Sequence, residues 1–214
     1  MTRDPLALAT DLARLVMASQ ESAERRVVGI AGESGSGKSV TATKLVEVLT
    51  ASGRPSVALH QDDYFHRPPR TNHEYRERDL ASVGPQEVDL AALAAHVARF
   101  RVGDDGVVVP SVDYPGNRFT TRVLDFASRD VLVVDGTYVL ALPDLDVRIF
   151  LDATSADTRE RRHLRNRDIE APVVERVLAI EHGLISPQAE LADIVIDREF
   201  RIVRTGGRSR KLAE

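Results

Sequence analysis

Eight consecutive residues, Gly32-Glu33-Ser34-Gly35-Ser36-Gly37-Lys38-Ser39, fit the pattern G-x-x-x-x-G-K-[ST] at every fixed position. Glycines at this spacing let the backbone curl until successive N–H groups point inward, which makes a cradle for phosphate oxygens. The lysine adds a mobile full charge for the β and γ phosphates, and the serine hydroxyl is a ligand for Mg2+. An apolar run, 27–31, precedes the motif, and Lys38-Ser39-Val40 opens a helical pattern whose positive dipole end adds to the cradle. This strand–loop–helix setting predicts that residues 32–40 bind ATP or a related triphosphate.

Three further clusters carry chemistry that a triphosphate site can use. The run "VLVVDG" ends in Asp135, placed to hold Mg2+ directly or through its water shell. The stretch "LHQDDYFH", residues 59–66, sets two adjacent acids after an apolar run. Asp62 or Asp63 can there act as the base for an acceptor hydroxyl, beside the carboxyl end of the phosphate-loop strand. "DTRERRHLRNRD" packs Arg159, Arg161, Arg162, Arg165 and Arg167 into nine residues. With so few local acids, that cluster suits a cationic lid over a transferred phosphoryl group. Asp63, Tyr64, His66, Asp113, Tyr114, Asn117, Arg118 and Arg167 are the candidates for lining the acceptor pocket. Arg118 is placed to read an anionic group. His96 and His182 fall on helical patterns and are assigned to structure.

These residues need a scaffold that brings them together, and the rest of the chain describes one. Apolar runs at 27–31, 56–60, 131–135, 147–152 and 193–197 read as buried strands, with 106–110 as a further short one. Helical patterns at 38–51, 86–101, 155–168 and 172–183 lie between them. The alternation predicts an α/β fold with a five-stranded, mostly parallel sheet flanked by helices. Residues 5–19 form an amphipathic helix expected to dock on this core. The polar stretch 66–84 reads as a surface excursion, and the basic tail as a solvated end. The expected organisation is an N-terminal segment 1–26, a kinase-sized core 27–200 with a lid near 153–168, and a tail 201–214.

Composition bounds the function. The 214 residues include 43% hydrophobic and 29% charged residues, with net charge −4 and no cysteine. Disulfides, thiolate catalysis and Cys-ligated zinc are excluded. The acidic balance gives no footing for nucleic acid, and no apolar stretch is long enough to span a membrane. A cytoplasmic location is the expectation, with homo-oligomerisation left open. No Asn-Lys-x-Asp motif is present, since every Asn precedes His or Arg, which argues against a switch GTPase. A small-molecule kinase with a hydroxyl acceptor fits best. A nucleotide-binding regulatory protein without acceptor chemistry is the alternative from another class.

Taken together, the motifs resemble the uridine kinase/phosphoribulokinase family of P-loop kinases from about residue 27 to 200. The resemblance rests on "GESGSGKS", "LHQDDYF", "VPSVDY", "VLVVDGTYVL", "RRHLR" and "ISPQAELADIVID", in matching order and spacing. It implies a P-loop NTPase fold with an Arg-rich lid, ATP and Mg2+, and phosphorylation of a sugar or nucleoside hydroxyl. Carried over by position, Asp62 resembles the general base. Lys38, Arg162 and Arg165 resemble the phosphate clamps, and Ser39 and Asp135 the magnesium side. The acceptor motifs depart from uridine kinases proper. Val112-Asp113-Tyr114 and Asn117 replace the pyrimidine-reading pattern, Ala81-Ser82-Val83-Gly84-Pro85 lacks the ribose-holding acid, and Asn166-Arg167-Asp168 shortens the segment after the lid.

Overall fold

The computed structural model describes residues 4–18, 25–155, 157–158 and 172–205. Its centre is strand β1 (Arg26–Gly32), whose alternating side chains feed two separate cores. Val27 and Ala31 face one side of the sheet, and Val28 and Ile30 the other. That is the period-two geometry of a strand buried on both faces. Helix α1 (Pro5–Ala18) and helix α2 (Lys38–Ala51) cover the second face, burying Leu8, Leu12, Val16, Leu45 and Leu49 completely.

Parallel strands flank β1 on both sides. β2 (Ser56–His60) lies beyond β5 (Val131–Gly136), and β6 (Val147–Asp152) leads to β7 (Ile194–Asp197). The order is β2-β5-β1-β6-β7-β8, with β8 (Ile202–Thr205) antiparallel at the edge. Five parallel strands are present as expected, and a sixth is added by residues read as tail. Alternation in Ile202–Thr205 is too short to signal a strand, and pairing with β7 alone supplies its order. Residues 206–214 lie outside the described set.

Two more departures shape the site. The run at 106–110 does not join the main sheet. It forms β3 (Val107–Asp113), paired antiparallel with β4 (Arg118–Leu124) in a separate hairpin packed on helix α4 (Leu90–Val102). The excursion 66–84 contains a ten-residue helix, α3 (Pro69–Arg78), with Pro69 at its first turn. Its stripe is polar, so apolar periodicity does not reveal it. Helix α5 (Pro172–Ile185) matches the pattern at 172–183. Of the helical pattern at 155–168, all but residues 155, 157 and 158 lies outside the described residues.

Candidate active site

The phosphate loop closes the gap between β1 and α2 as the motif predicts. Gly37 caps α2 at φ 103, a left-handed geometry that glycine adopts at little cost. Gly32 at φ 154 runs so close to β6 that a Cβ would sit 2.7 Å from the Leu151 carbonyl oxygen. Within the loop, Lys38 Nζ donates to the Glu33 carbonyl at 2.8 Å, which holds the ammonium over the curl. Val40, the last residue of the expected cradle, is 44% exposed on α2. The Glu33 carboxylate turns away from the loop's interior toward Ser155 and His182.

Asp135 ends β5 between its neighbours, in register with Ile30 of β1 and His60 of β2. It is 3% exposed, and Oδ2 accepts a 2.7 Å hydrogen bond from the Ser39 hydroxyl. Its other oxygen meets His60 Nδ1, and this bond raises the imidazole pKa above its ordinary value despite burial. Two hard oxygen donors touching beside a phosphate loop fit the sparse protein coordination of Mg2+, which keeps waters and phosphate oxygens as its remaining ligands. Among the described residues no cluster of three or more His, Cys, Asp or Glu competes as a metal centre.

The two acids after β2 part company. A short 3-10 turn, Gln61–Tyr64, follows the strand. Gln61 is fully buried and staples the turn to the end of β5: Nε2 donates to Thr137 Oγ1 at 2.9 Å, and Oε1 accepts the Tyr138 N–H at 2.8 Å. From that anchor Asp62 projects into the open cavity, where the Tyr114 hydroxyl reaches Oδ2 at 3.3 Å. Asp63 points the other way, is 7% exposed, and accepts the Val112 N–H at 2.8 Å. Burial raises its pKa, and the amide bond opposes that shift.

A cavity of about 550 Å³ joins the loop to α3 and α5. Ser34, Gly35, Gly37, Lys38, Ser39, Asp62, Tyr114 and Asp135 line it, so the proposed phosphate, metal and base residues share one space. The other acceptor candidates within the described residues do not. Tyr64 is 3% exposed, bonded through its hydroxyl to His96 Nδ1 at 2.9 Å, and burial raises its pKa. Asp113 holds the hairpin turn through the Gly116 N–H and the Arg118 side chain, which occupies both partners. Asn117, at φ 48, instead latches the hairpin tip to α3: Oδ1 accepts the Arg70 N–H at 2.8 Å. His66 is exposed, its backbone N–H bonded to the Glu87 carbonyl. Arg162, Arg165 and Arg167 lie outside the described residues.

In their place α3 and α5 supply cavity residues that motif reading does not reach. Pro69, Asn72, His73 and Arg76 recur at helical spacing and line one wall. That spacing, in polar residues, was the signal available. Arg76 is held by Glu87 through Nε at 2.6 Å and Nη2 at 2.7 Å, and lies 3.1 Å from Glu181 of α5. Burial works to lower the guanidinium pKa, but the Glu87 hydrogen bonds and the Glu181 charge leave it raised. Burial raises the pKa of Glu181, and the Arg76 charge opposes the shift.

Comparison with known proteins agrees with this fold. The family model described as phosphoribulokinase / uridine kinase family matches residues 27–201. A uridine kinase of Macrococcus caseolyticus is 32% identical over 186 residues, covering 79% of this chain and 86% of its own. The bifunctional alpha-galactosidase/sucrose kinase AgaSK of Mediterraneibacter gnavus is 31% identical over 193 residues, 83% of this chain but 21% of that protein. A solved structure described as a possible uridine kinase from Bacillus stearothermophilus superposes with a TM-score of 0.61 at 19% identity, covering 90% and 99% of the two chains. The family match spans the phosphate loop and every strand of the parallel sheet, and this chain belongs to the phosphoribulokinase/uridine kinase family of small-molecule P-loop kinases.

Proposed function

We propose that the chain is an ATP-dependent kinase that transfers the γ-phosphoryl group to a hydroxyl of a small, sugar-like or nucleoside acceptor. The observation that carries this reading is the shared cavity, which brings Lys38, Ser39 and Asp135 within one space with the Asp62 carboxylate. Lys38 exchanges the Glu33 carbonyl for phosphate oxygens. Asp62 accepts the proton of the acceptor hydroxyl as its oxygen bonds to the γ-phosphorus and the bond to the β-phosphate oxygen breaks, releasing ADP. Ser39 and Asp135 would hold Mg2+, which spreads the phosphate charge. Tyr114 orients Asp62 through the hydroxyl contact. Arg162 and Arg165 remain the clamps that the family resemblance implies.

Such catalysis is positioning and electrostatics, and both substrates must be present for turnover. The test is ATP consumption against a panel of nucleosides, sugars, polyols and sugar phosphates. Acceptor-dependent ADP release with at least one member supports the kinase reading, and that member names the acceptor. Nucleotide binding with no acceptor-dependent turnover anywhere in the panel favours the regulatory alternative. The named relatives differ in acceptor, a uridine kinase and a sucrose kinase, so both classes belong in the panel.

A further inference from the structure

The second residue of the phosphate loop does not face the phosphates. Glu33 is 5% exposed; Oε2 accepts the Ser155 N–H at 2.6 Å, and Oε1 lies 2.6 Å from His182 Nδ1. Beside it the Ser34 carbonyl accepts a 2.9 Å bond from the fully buried Thr158 hydroxyl. A buried carboxylate is costly unless hydrogen bonds satisfy it, and charge-assisted bonds of this length also fix its direction. The G-x-x-x-x-G-K-[ST] pattern does not require glutamate here. A negative charge next to an anion cradle works against the cradle, so the residue must serve another end.

Helix α5 shows what that end is. His182 and Glu181 are successive residues, separated by roughly 100° around the helix axis. His182 reaches the phosphate loop, whereas Glu181 reaches Arg76 of α3 at 3.1 Å and lines the cavity with Val174, Val177 and Leu178. One turn of α5 therefore grips the loop with one side chain and the acceptor wall with the next. Close-packed helices transmit displacement as bodies because their interiors compress little. The trigger is in place as well: Lys38 Nζ bonds the carbonyl of Glu33, so a triphosphate that draws Lys38 away releases the backbone of the residue that holds α5.

We propose that Glu33 and His182 are positioning residues that couple occupancy of the phosphate loop to the acceptor wall, through α5 and the Glu181–Arg76 pair. The proposal rests on the reading of residues 32–39 as a nucleotide site. It goes beyond that reading by making the two half-sites thermodynamically linked rather than merely adjacent.

Amide hydrogen exchange on the full chain, with and without Mg2+ and a non-hydrolysable ATP analogue, tests it. In the unmodified protein the analogue slows exchange in the loop, and in α3 by about fivefold or more, the lower end of ordinary coupling. His182→Ala keeps the protection of the loop and loses that of α3. Glu33→Ala also loses the α3 protection, read at analogue concentrations that saturate the loop, and Glu33→Gln, which can still accept the Ser155 amide, restores part of it. His182 is 52% exposed, so its replacement reports on the link even where Glu33→Ala does not fold. A protected loop with an unresponsive α3 in the unmodified protein overturns the coupling and leaves the nucleotide site standing. Undiminished α3 protection in His182→Ala overturns it too. No protection of the loop itself removes the nucleotide reading and the coupling together.

Discussion

Asp63 accepts the backbone N–H of Val112 at 2.8 Å, and this bond ties the end of β2 to the β3–β4 hairpin. Its neighbour Asp62 is left to the cavity, with Tyr114 from the same hairpin at 3.3 Å. One acid builds the wall and the other faces the cavity.

Substitution separates the two roles. Asp62→Asn lowers turnover by about 10²- to 10⁴-fold, the usual range for a general base, and leaves the melting temperature unchanged. Asp63→Ala strands a half-buried amide and costs about 1–3 kcal/mol, seen as a lower melting temperature. Activity assays and thermal melts on both variants check this. Turnover that survives Asp62→Asn and disappears in a stable Asp63→Ala protein would reverse the assignment.

The Arg76 cluster is a second fracture point. Its side chain is 16% exposed and faces Glu87 at 1% and Glu181 at 10%. Removing the guanidinium in Arg76→Ala leaves two buried carboxylates without their cation, a loss of about 3–5 kcal/mol. Urea unfolding measures it directly. Arg76→Lys recovers only part of the loss, because an ammonium cannot reproduce the paired Nε and Nη2 contacts to Glu87. A loss no larger than that of an exposed ion pair would mean that water reaches the cluster.

His96 gives a pH signature of known sign. Burial lowers its pKa below 6.5, outweighing a backbone hydrogen bond with Val108 that raises it. Between the lowered folded value and 6.5 the unfolded chain binds a proton that the folded chain refuses. Stability from this site is therefore full above pH 6.5 and is lost as pH falls through that window. His60 contributes with the opposite sign, since its pKa is raised; its stabilisation is full below 6.5 and fades as pH rises through the folded value. The difference between the unmodified protein and His96→Gln in urea melts from pH 7.5 down to 5 isolates the first effect. A difference that does not change across that range would sink the assignment.

The α3 wall shows where sequence reading stops. The phosphate loop was legible because a contiguous eight-residue pattern dictates its own backbone, and each strand because local apolar periodicity encodes burial on two faces. Asp135 and the Asp62-Asp63 pair were legible because they sit at strand ends, and a parallel sheet gathers those ends along one edge. Tyr64, Asp113, Asn117 and Arg118 are near the same edge in sequence, yet their side chains satisfy the hairpin, the core or α3. Nothing in their spacing distinguishes a residue that faces a substrate from one that closes a turn.

What the chain alone determined is therefore the local chemistry: the cradle, the strand-end acids, and the α/β alternation that sets them side by side. Only the tertiary structure decided which acid faces the cavity, how β8 extends the sheet, and that α3 and α5 wall the cavity. Those outcomes depend on partners far apart in sequence, such as Gln61 with Tyr138, Asp63 with Val112 and Arg76 with Glu181. A side chain's direction follows from which distant group leaves it the best-satisfied hydrogen bond, and that group is absent from any local window.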